Sequence, residues 1–405
     1  MKGFEGGGPE GQPREDRGVM TAEELILRAR GLSAAVAPDL PPEKEAGKTP
    51  EKAHVDALLA QMRRDGLLAA VVPETFGGPG LSVGDLARIT FEIATQSGSA
   101  GLIYAMHISQ AYAIVRHGRG AFFEALQRRM VTAQLLIASG TSEKGPGGDI
   151  LRSICQVEPD GAGFKIIKES PNISYIDHAD LILVSANHDQ PRKRQVLVAA
   201  DVSPADFIPG PEAGFLGMRG IQNRPWAFTA HFGEAAIFPE DFGVIARRSM
   251  TPSIQIVWAA MWSGLAWSAI DKAKWFVTEE IEPGSEIAAV MGHELSRLID
   301  RHHLINAMLR DAIAAFDTND TGKAGRDMGF GLAAQINRLK IEASEMVVDI
   351  IARAMGLIGI RAYAMGGPYS LAAAMADALS APVMVSNYRL AMNNAKVERF
   401  VDERL

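Results

Sequence analysis

Residues 135–149 read LLIASGTSEKGPGGD and hold the strongest chemical signal in the chain. An apolar, strand-like run passes through the hydroxyls of Ser139, Thr141 and Ser142 and ends in Gly145, Gly147, Gly148 and Asp149. Glycine has no Cβ and tolerates positive φ, so such a segment brings backbone N–H groups close to an anionic or planar ligand, with hydroxyls beside them to hydrogen-bond it. A Gly-Pro surface loop joining two domains is the plainer reading of the same residues.

The other residues able to do chemistry favour structural roles. His302 and His303 are neighbours on a helix, where adjacent side chains point about 100° apart and cannot face one ion, so solvated helix surface is expected. His107, in the apolar stretch YAMHIS, reads as a satisfied core histidine. Trp258, Trp262, Trp267 and Trp275 fall on one long apolar helix and read as core or interface. Tyr388 and Arg389 stand in a loop, and a packed tyrosine is the expected role of Tyr388. Cys155 is the sole cysteine, which excludes an internal disulfide and a cysteine-rich metal site and suggests an inert buried thiol.

Three regions must position these residues. A chain of 405 residues exceeds what one core usually serves. Residues 20–133 carry helical periodicity, opened by Thr21 as an N-cap with Glu23 and Glu24 behind it. Residues 134–245 change to short alternating runs (SICQVE, GFKIIKES, NISYI, LILVSA, QVLVAADV, WAFTAHF and AAIFP), which predict a β-barrel or sandwich. From 246 to 405 helices return, over 254–278, 286–316, 328–355 and 370–400. Residues 1–19 are Gly-, Glu- and Arg-rich, predicting a disordered tail that is neither secretory signal nor anchor, with Met20 an alternative start. The balance of 41 basic and 48 acidic residues, −7, contains no basic block of the kind that binds nucleic acid. The absence of an 18-residue uncharged apolar run argues against a membrane span, and the cysteine count suggests a cytoplasmic setting.

This α+β order of an N-terminal helical domain, a middle β-barrel domain and a C-terminal four-helix bundle resembles the acyl-CoA dehydrogenase family over about residues 21–400. The carriers are GLLAAVVPETFGGPGLS (66–82), TSEKGPGGD (141–149), NISYIDHAD (172–180), LGMRG (216–220) with IFPEDFG (237–243), and GPYSLAAAMADALSAPVM (367–384). The resemblance implies FAD held between the β-domain and the bundle, and oxidation of an acyl-CoA thioester by a carboxylate base and the flavin. Residue by residue, Thr141 and Ser142 match the pair at the flavin's pyrimidine edge, and Ser174 matches the hydroxyl near its N5. Asn172 stands where an aromatic residue flanks the ring. Gly145, Gly147, Gly148 and Asp149 match the glycine loop, with Gly148 in place of the serine at the cofactor phosphate.

The same resemblance exposes departures. The two places where the family keeps its base fall on Val385 and Ile254, with Gln255 where a substrate-contacting arginine is common. No Asp or Glu occurs between Asp377 and Glu398, or between Asp241 and Asp271, so no shift of alignment restores a base. Ala376 replaces the arginine of the family's Arg-Asp-Ala motif. Glu280 stands where a neighbouring subunit offers arginine to the FAD diphosphate, and residues 356–362 (GLIGIRA) are bulkier than the usual glycine-rich support. Three functions therefore compete: an FAD-dependent oxidoreductase acting on the CH–CH bond of an acyl thioester in fatty-acid metabolism, a flavin-dependent monooxygenase on the same fold, and a non-catalytic subunit paired with an active relative. The expected assembly is a homo-oligomer, dimer or tetramer, or a hetero-oligomer with a related subunit, served by an electron-transfer or reductase partner.

Overall fold

The computed structural model describes residues 19–35, 50–146, 149–188, 194–211, 214–321 and 329–398. The expected tail lies outside them except for its last residue, as do Gly147 and Gly148 of the glycine loop. Helices α1 (Ala22–Ala35), α2 (Pro50–Arg64), α3 (Val83–Gln96), α4 (Gly98–His117) and α5 (Ala121–Ala133) form the first region. Their starts are written in the sequence. Thr21 and Glu24 close a reciprocal box, the Thr21 N–H donating to the Glu24 carboxylate at 2.8 Å and the Glu24 N–H to Thr21 Oγ1 at 3.3 Å. Ser82 and Ser97 accept from the N–H groups of Asp85 and Ala100 in the same way.

Seven strands follow, β1 (Ile137–Gly140), β2 (Glu158–Asp160), β3 (Gly163–Ile173), β4 (Leu181–His188), β5 (Arg194–Asp201), β6 (Phe207–Pro209) and β7 (Arg224–Phe232). They make two sheets, ordered β1-β4-β5 and β2-β3-β7-β6, with β1 parallel to β4 and the other pairs antiparallel. Of two runs expected as separate strands, GFKIIKES and the first two residues of NISYI form one strand, continued through a register shift between Ser170 and Ile173, and Ile176 opens a 3-10 turn. Pro171 lies in that shift, where its missing N–H leaves no ladder position unfilled. The run AAIFP contributes a 3-10 turn and one bridge from Ile237 to Val198 instead of a strand. SICQVE contributes a bridge at Gln156 and the first residue of β2.

The third region holds α6 (Phe242–Ile245), α7 (Thr251–Glu280), α8 (Glu286–Thr321), α9 (Phe330–Ile358), α10 (Ile360–Tyr363), α11 (Ala372–Ala378) and α12 (Asn387–Val397). α7 is the axis of the molecule, packed by α3, α4, α8 and α9. The helical segment Phe242–Glu280 is long and apolar enough to cross a bilayer by composition, and 83% of its most apolar window is buried within this fold. Gly264 permits the closest approach: a Cβ there would lie 2.3 Å from the Phe91 carbonyl oxygen of α3. Trp262, fully buried, fills the space beyond; an aromatic side chain of its size removes roughly 150–250 Å² from water, worth about 4–6 kcal/mol. The helix expected over 370–400 is broken into α11 and α12. Pro382 interrupts it, and Val385 and Ser386 take positive φ of 50° and 23°.

Candidate functional site

β1 runs into the site and stops at Gly140, where hydroxyls take over from apolar side chains. Ser139 and Thr141 hydroxyls lie 3.0 Å apart. Ser142 Oγ donates to the Asn172 carbonyl at 2.9 Å and sits 2.6 Å from Ser170 Oγ, so the end of β1 is tied to the irregular end of β3. Ser174, buried at 6% exposure, donates to Asn223 Oδ1 at 2.6 Å. Tyr175 then turns back with φ of 44°, and its phenol donates to the Ile137 carbonyl at 3.0 Å. The fold thus gathers Thr141, Ser142, Asn172 and Ser174 on neighbouring segments, with Asn172 exposed and Thr141 half-buried. Gly145 is exposed with φ of 120°, a conformation that requires glycine.

Beneath this shelf lies a buried ion pair that the sequence reading did not single out. Lys168 and Glu143 are 3.7 Å apart with side chains 0% and 6% exposed. Glu143, next to Ser142, also accepts from the Cys155 N–H at 2.8 Å and from Ser153 Oγ at 2.7 Å, while Lys168 Nζ donates to the Ser185 carbonyl at 2.8 Å. Burial lowers the Lys168 ammonium from its ordinary range, opposed by Cys155 and Glu143, and the same burial raises the half-buried Cys155 thiol. The thiol, expected to be buried, is only partly so, and the shift disfavours its thiolate. A signal for Lys168 existed: β3 alternates, and Ile166, Lys168 and Ser170 all fall on its inner face.

The bundle side of the site is held by a second buried lysine. Lys340, with no exposed surface, donates to the Ala381 carbonyl at 3.1 Å and to Asn387 Oδ1 at 2.6 Å. Burial lowers its ammonium to about 8. Those bonds fix the 379–387 segment, on which Val385 is 44% exposed. Ile254 is partly buried on α7. Asp377 joins the two halves, since the Met218 N–H donates to its carboxylate and a Cβ at Gly98, first residue of α4, would lie 2.6 Å from Asp377 Oδ2.

Several expectations are corrected. Tyr388 is 87% exposed and not packed. His302 is buried at 4%, because it reaches inward to Ser263 Oγ at 2.9 Å, while His303 takes the solvated side. Glu280, expected only to stand where the family offers an arginine, is paired within the chain: Arg361 lies 2.8 Å from it and the Tyr369 phenol donates to it at 3.1 Å, and Arg361 holds its carboxyl below the usual range. His107 is the core histidine foreseen. Its Nε2 meets the Leu68 carbonyl at 2.7 Å and its Nδ1 accepts from the Ile137 N–H at 3.1 Å, so the ring is neutral and fixed in one tautomer. Trp258 and Trp262 are core; Trp275 is 46% exposed and rests on Tyr369.

A serine, histidine and glutamate also come together outside the expected site. His117 Nε2 lies 2.7 Å from Ser249 Oγ and Nδ1 lies 2.8 Å from Glu240. The spacing suits nucleophilic catalysis, but Ser249 is 2% exposed and offers no face to a substrate. The trio instead fastens α4 to the π-helical turn Ala246–Met250 that opens α7. Among the described residues, no group of three or more His, Cys, Asp or Glu is placed to hold a metal ion.

Comparison with known proteins fits this architecture. Residues 23–134 match the family model described as acyl-CoA dehydrogenase, N-terminal domain. A dibenzothiophene monooxygenase of Mycolicibacterium goodii is 23% identical over 325 residues, 74% of this chain and 77% of that one. A glutaryl-CoA dehydrogenase of Desulfococcus multivorans is 27% identical over 163 residues, 40% of this chain and 42% of that one. Among solved structures, FMN-bound TdsC from Paenibacillus sp. A11-2 superimposes with a TM-score of 0.76 at 18% identity, covering 94% of this chain and 98% of its own. Butyryl-CoA dehydrogenase from Megasphaera elsdenii gives 0.76 at 17%, covering 93% and 97%.

Proposed function

We propose, from the match of the amino-terminal domain to the acyl-CoA dehydrogenase family and the whole-length likeness of fold, that this chain is a flavin-dependent oxidoreductase of that family whose chemistry is oxygen transfer. The observation that carries the reading is the missing base. Dehydrogenation of a thioester begins with removal of an α-proton by a carboxylate, and the two positions that the resemblance assigns to that carboxylate fall on Val385 and Ile254, whose side chains accept no proton. Bound reduced flavin would supply two electrons to O₂, one oxygen atom going to the substrate and the other leaving as water. That sequence needs no carboxylate.

The shelf fits a flavin's planar end. Thr141 is half-buried at the end of β1, Ser142 ties that end to β3 through the Asn172 carbonyl, and Ser174 ties the end of β3 to Asn223 beside β7. The fit is poorer for the diphosphate of FAD, because the Glu280–Arg361 pair is already neutralised within the chain. FMN, with one phosphate and no adenine, asks less of that region. The likeness to a dibenzothiophene monooxygenase supports this choice, as does the binding of FMN by TdsC. Exposed apolar side chains, Ile360, Tyr363, Met365, Val383, Tyr388 and Met392, at 63–87% exposure, support assembly with another copy through the end of the bundle.

The test is oxygen uptake by the purified protein supplied with reduced FMN or reduced FAD and an aromatic substrate such as indole, which TdsC binds. Substrate-dependent uptake coupled to a hydroxylated product is expected. A second reading, acyl-thioester dehydrogenation, draws on the glutaryl-CoA and isovaleryl-CoA dehydrogenase relatives. Bleaching of a bound flavin by an acyl-CoA without oxygen would establish it, and a protein that retains neither FMN nor FAD would leave the non-catalytic subunit.

A further inference from the structure

The helical segment Phe242–Glu280 is interrupted near its start by the π-turn Ala246–Met250. The Thr251 N–H donates to the Ala246 carbonyl five residues back, where an α-helix reaches back four. Wound one residue looser than the rest of the helix, such a turn is held by contacts from outside it. Two come from α4: Ser109 Oγ donates to the Met250 carbonyl at 3.1 Å, and His117 Nε2 lies 2.7 Å from Ser249 Oγ. Ile254, which the resemblance assigns to a base position, lies four residues beyond Met250. The turn therefore sets the phase of the helix face that carries it.

Chemistry dictates where the hydrogens of this contact sit. A carboxylate only accepts, so His117 Nδ1, 2.8 Å from Glu240, carries a proton. In the neutral ring Nε2 accepts, and the Ser249 hydroxyl donates to it. A second proton on the ring goes to Nε2, which then aims a donor at Ser249, and the serine hydrogen must turn to another acceptor. Ser249 is 2% exposed and has no access to bulk water. A buried helical serine in that position turns to a carbonyl one turn back and competes with the backbone ladder. Burial keeps the ring uncharged to below its ordinary 6.5; Glu240 favours the imidazolium, and Arg119 and Arg116 oppose it. Arg248 of the turn lies 3.8 Å from the same Glu240, and Arg194 and Asp241, next beyond, pair with each other.

We propose that His117 is a proton-operated latch on the π-turn: the neutral ring holds Ala246–Met250 in register against α4, and protonation releases the opening of α7. The latch stands apart from the oxygen-transfer reading, since it needs neither cofactor nor substrate.

Hydrogen exchange of the full chain, followed by mass spectrometry over residues 242–256 and corrected for the intrinsic pH dependence of exchange, reads the latch directly. The window is pH 7.5 to 5, above the range in which His107 and His302 charge. Across it wild type loses protection in this segment by roughly tenfold, one hydrogen bond's worth, with a midpoint below 6.5. His117→Gln takes up no proton and shows no step. Ser249→Ala removes a single hydroxyl, has no bond to lose and shows none either, which keeps the test decisive should His117→Gln fail to fold. Glu240→Gln removes the carboxylate that favours the imidazolium, so its step moves to lower pH. No step in folded wild type, a step of full size in His117→Gln or Ser249→Ala, a step moved to higher pH in Glu240→Gln, or an equal step over residues 265–276 would overturn the proposal.

Discussion

At the scale of single residues, the buried histidines set how the protein responds to acid. Burial lowers His107 and His302 to about 4, from an ordinary value of 6.5. Between those values the unfolded chain binds protons that the folded chain refuses, so stability is complete above pH 6.5 and falls as pH drops toward 4. Each contributes a loss of up to about 3 kcal/mol. Urea unfolding at pH 7, 6, 5 and 4 should show this slope, and His302→Gln should remove roughly half of it. The Glu143–Lys168 pair gives a second prediction. Lys168→Met strands a buried carboxylate and should cost about 3–5 kcal/mol. Replacing both members, Glu143→Gln with Lys168→Met, should cost clearly less than the sum, and an additive result in a double-mutant cycle would show that the pair is not coupled.

At the scale of elements, α7 decides most of the packing. Gly264 lets α3 lie against it, and Gly264→Ala sets a methyl 2.3 Å from the Phe91 carbonyl. The helix backbone is the obstacle and has no side chain to swing away, so a loss of more than about 2 kcal/mol is expected, against the roughly 1 kcal/mol that alanine usually gains over glycine in a helix. Gly292, on α8 with open space around its Cβ position, is the control, and Gly292→Ala should stabilise slightly. The two lysines act on shorter elements. Lys340 anchors the turn between α11 and α12, and because burial lowers it to about 8 from 10.5, its burial opposes folding most fully at neutral pH. That penalty is relieved as pH rises from 8 to 10.5, where the unfolded chain still holds the proton. The stability of wild type relative to Lys340→Met should therefore increase over that window.

At the scale of the whole molecule, the proposed cofactor and the proposed assembly both make predictions about the bundle's carboxy-terminal end. Glu280, Arg361 and Tyr369 form a closed set there, so FMN should be retained at least as well as FAD in equilibrium dialysis; FAD retained tenfold more tightly would mean that another region carries the diphosphate. Met365→Asp, placed on an 87% exposed residue, should shift the mass measured by light scattering toward the single chain without altering its melting.

Much of this was legible in residue order. The alternation of helical and β-like stretches defined the three regions, because the hydrophobic period is local and survives without knowledge of neighbours. The hydroxyls at 141, 142 and 174 stand out in residue order as candidates, and the apolar residues at 254 and 385 are facts of sequence, whereas their match to the family's base positions is what the resemblance implies. Tertiary structure decided what those residues touch. The sequence places Glu280 between Glu279 and Glu282, and only folding brings Arg361 beside it across 81 positions. It cannot show that His302 turns inward, since one helical step separates core from solvent, or that Lys168 and Lys340 find buried partners 25 and 47 residues away in Glu143 and Asn387. Long-range pairing is set by how elements stack, and stacking depends on shape complementarity summed over many side chains, which no short pattern encodes.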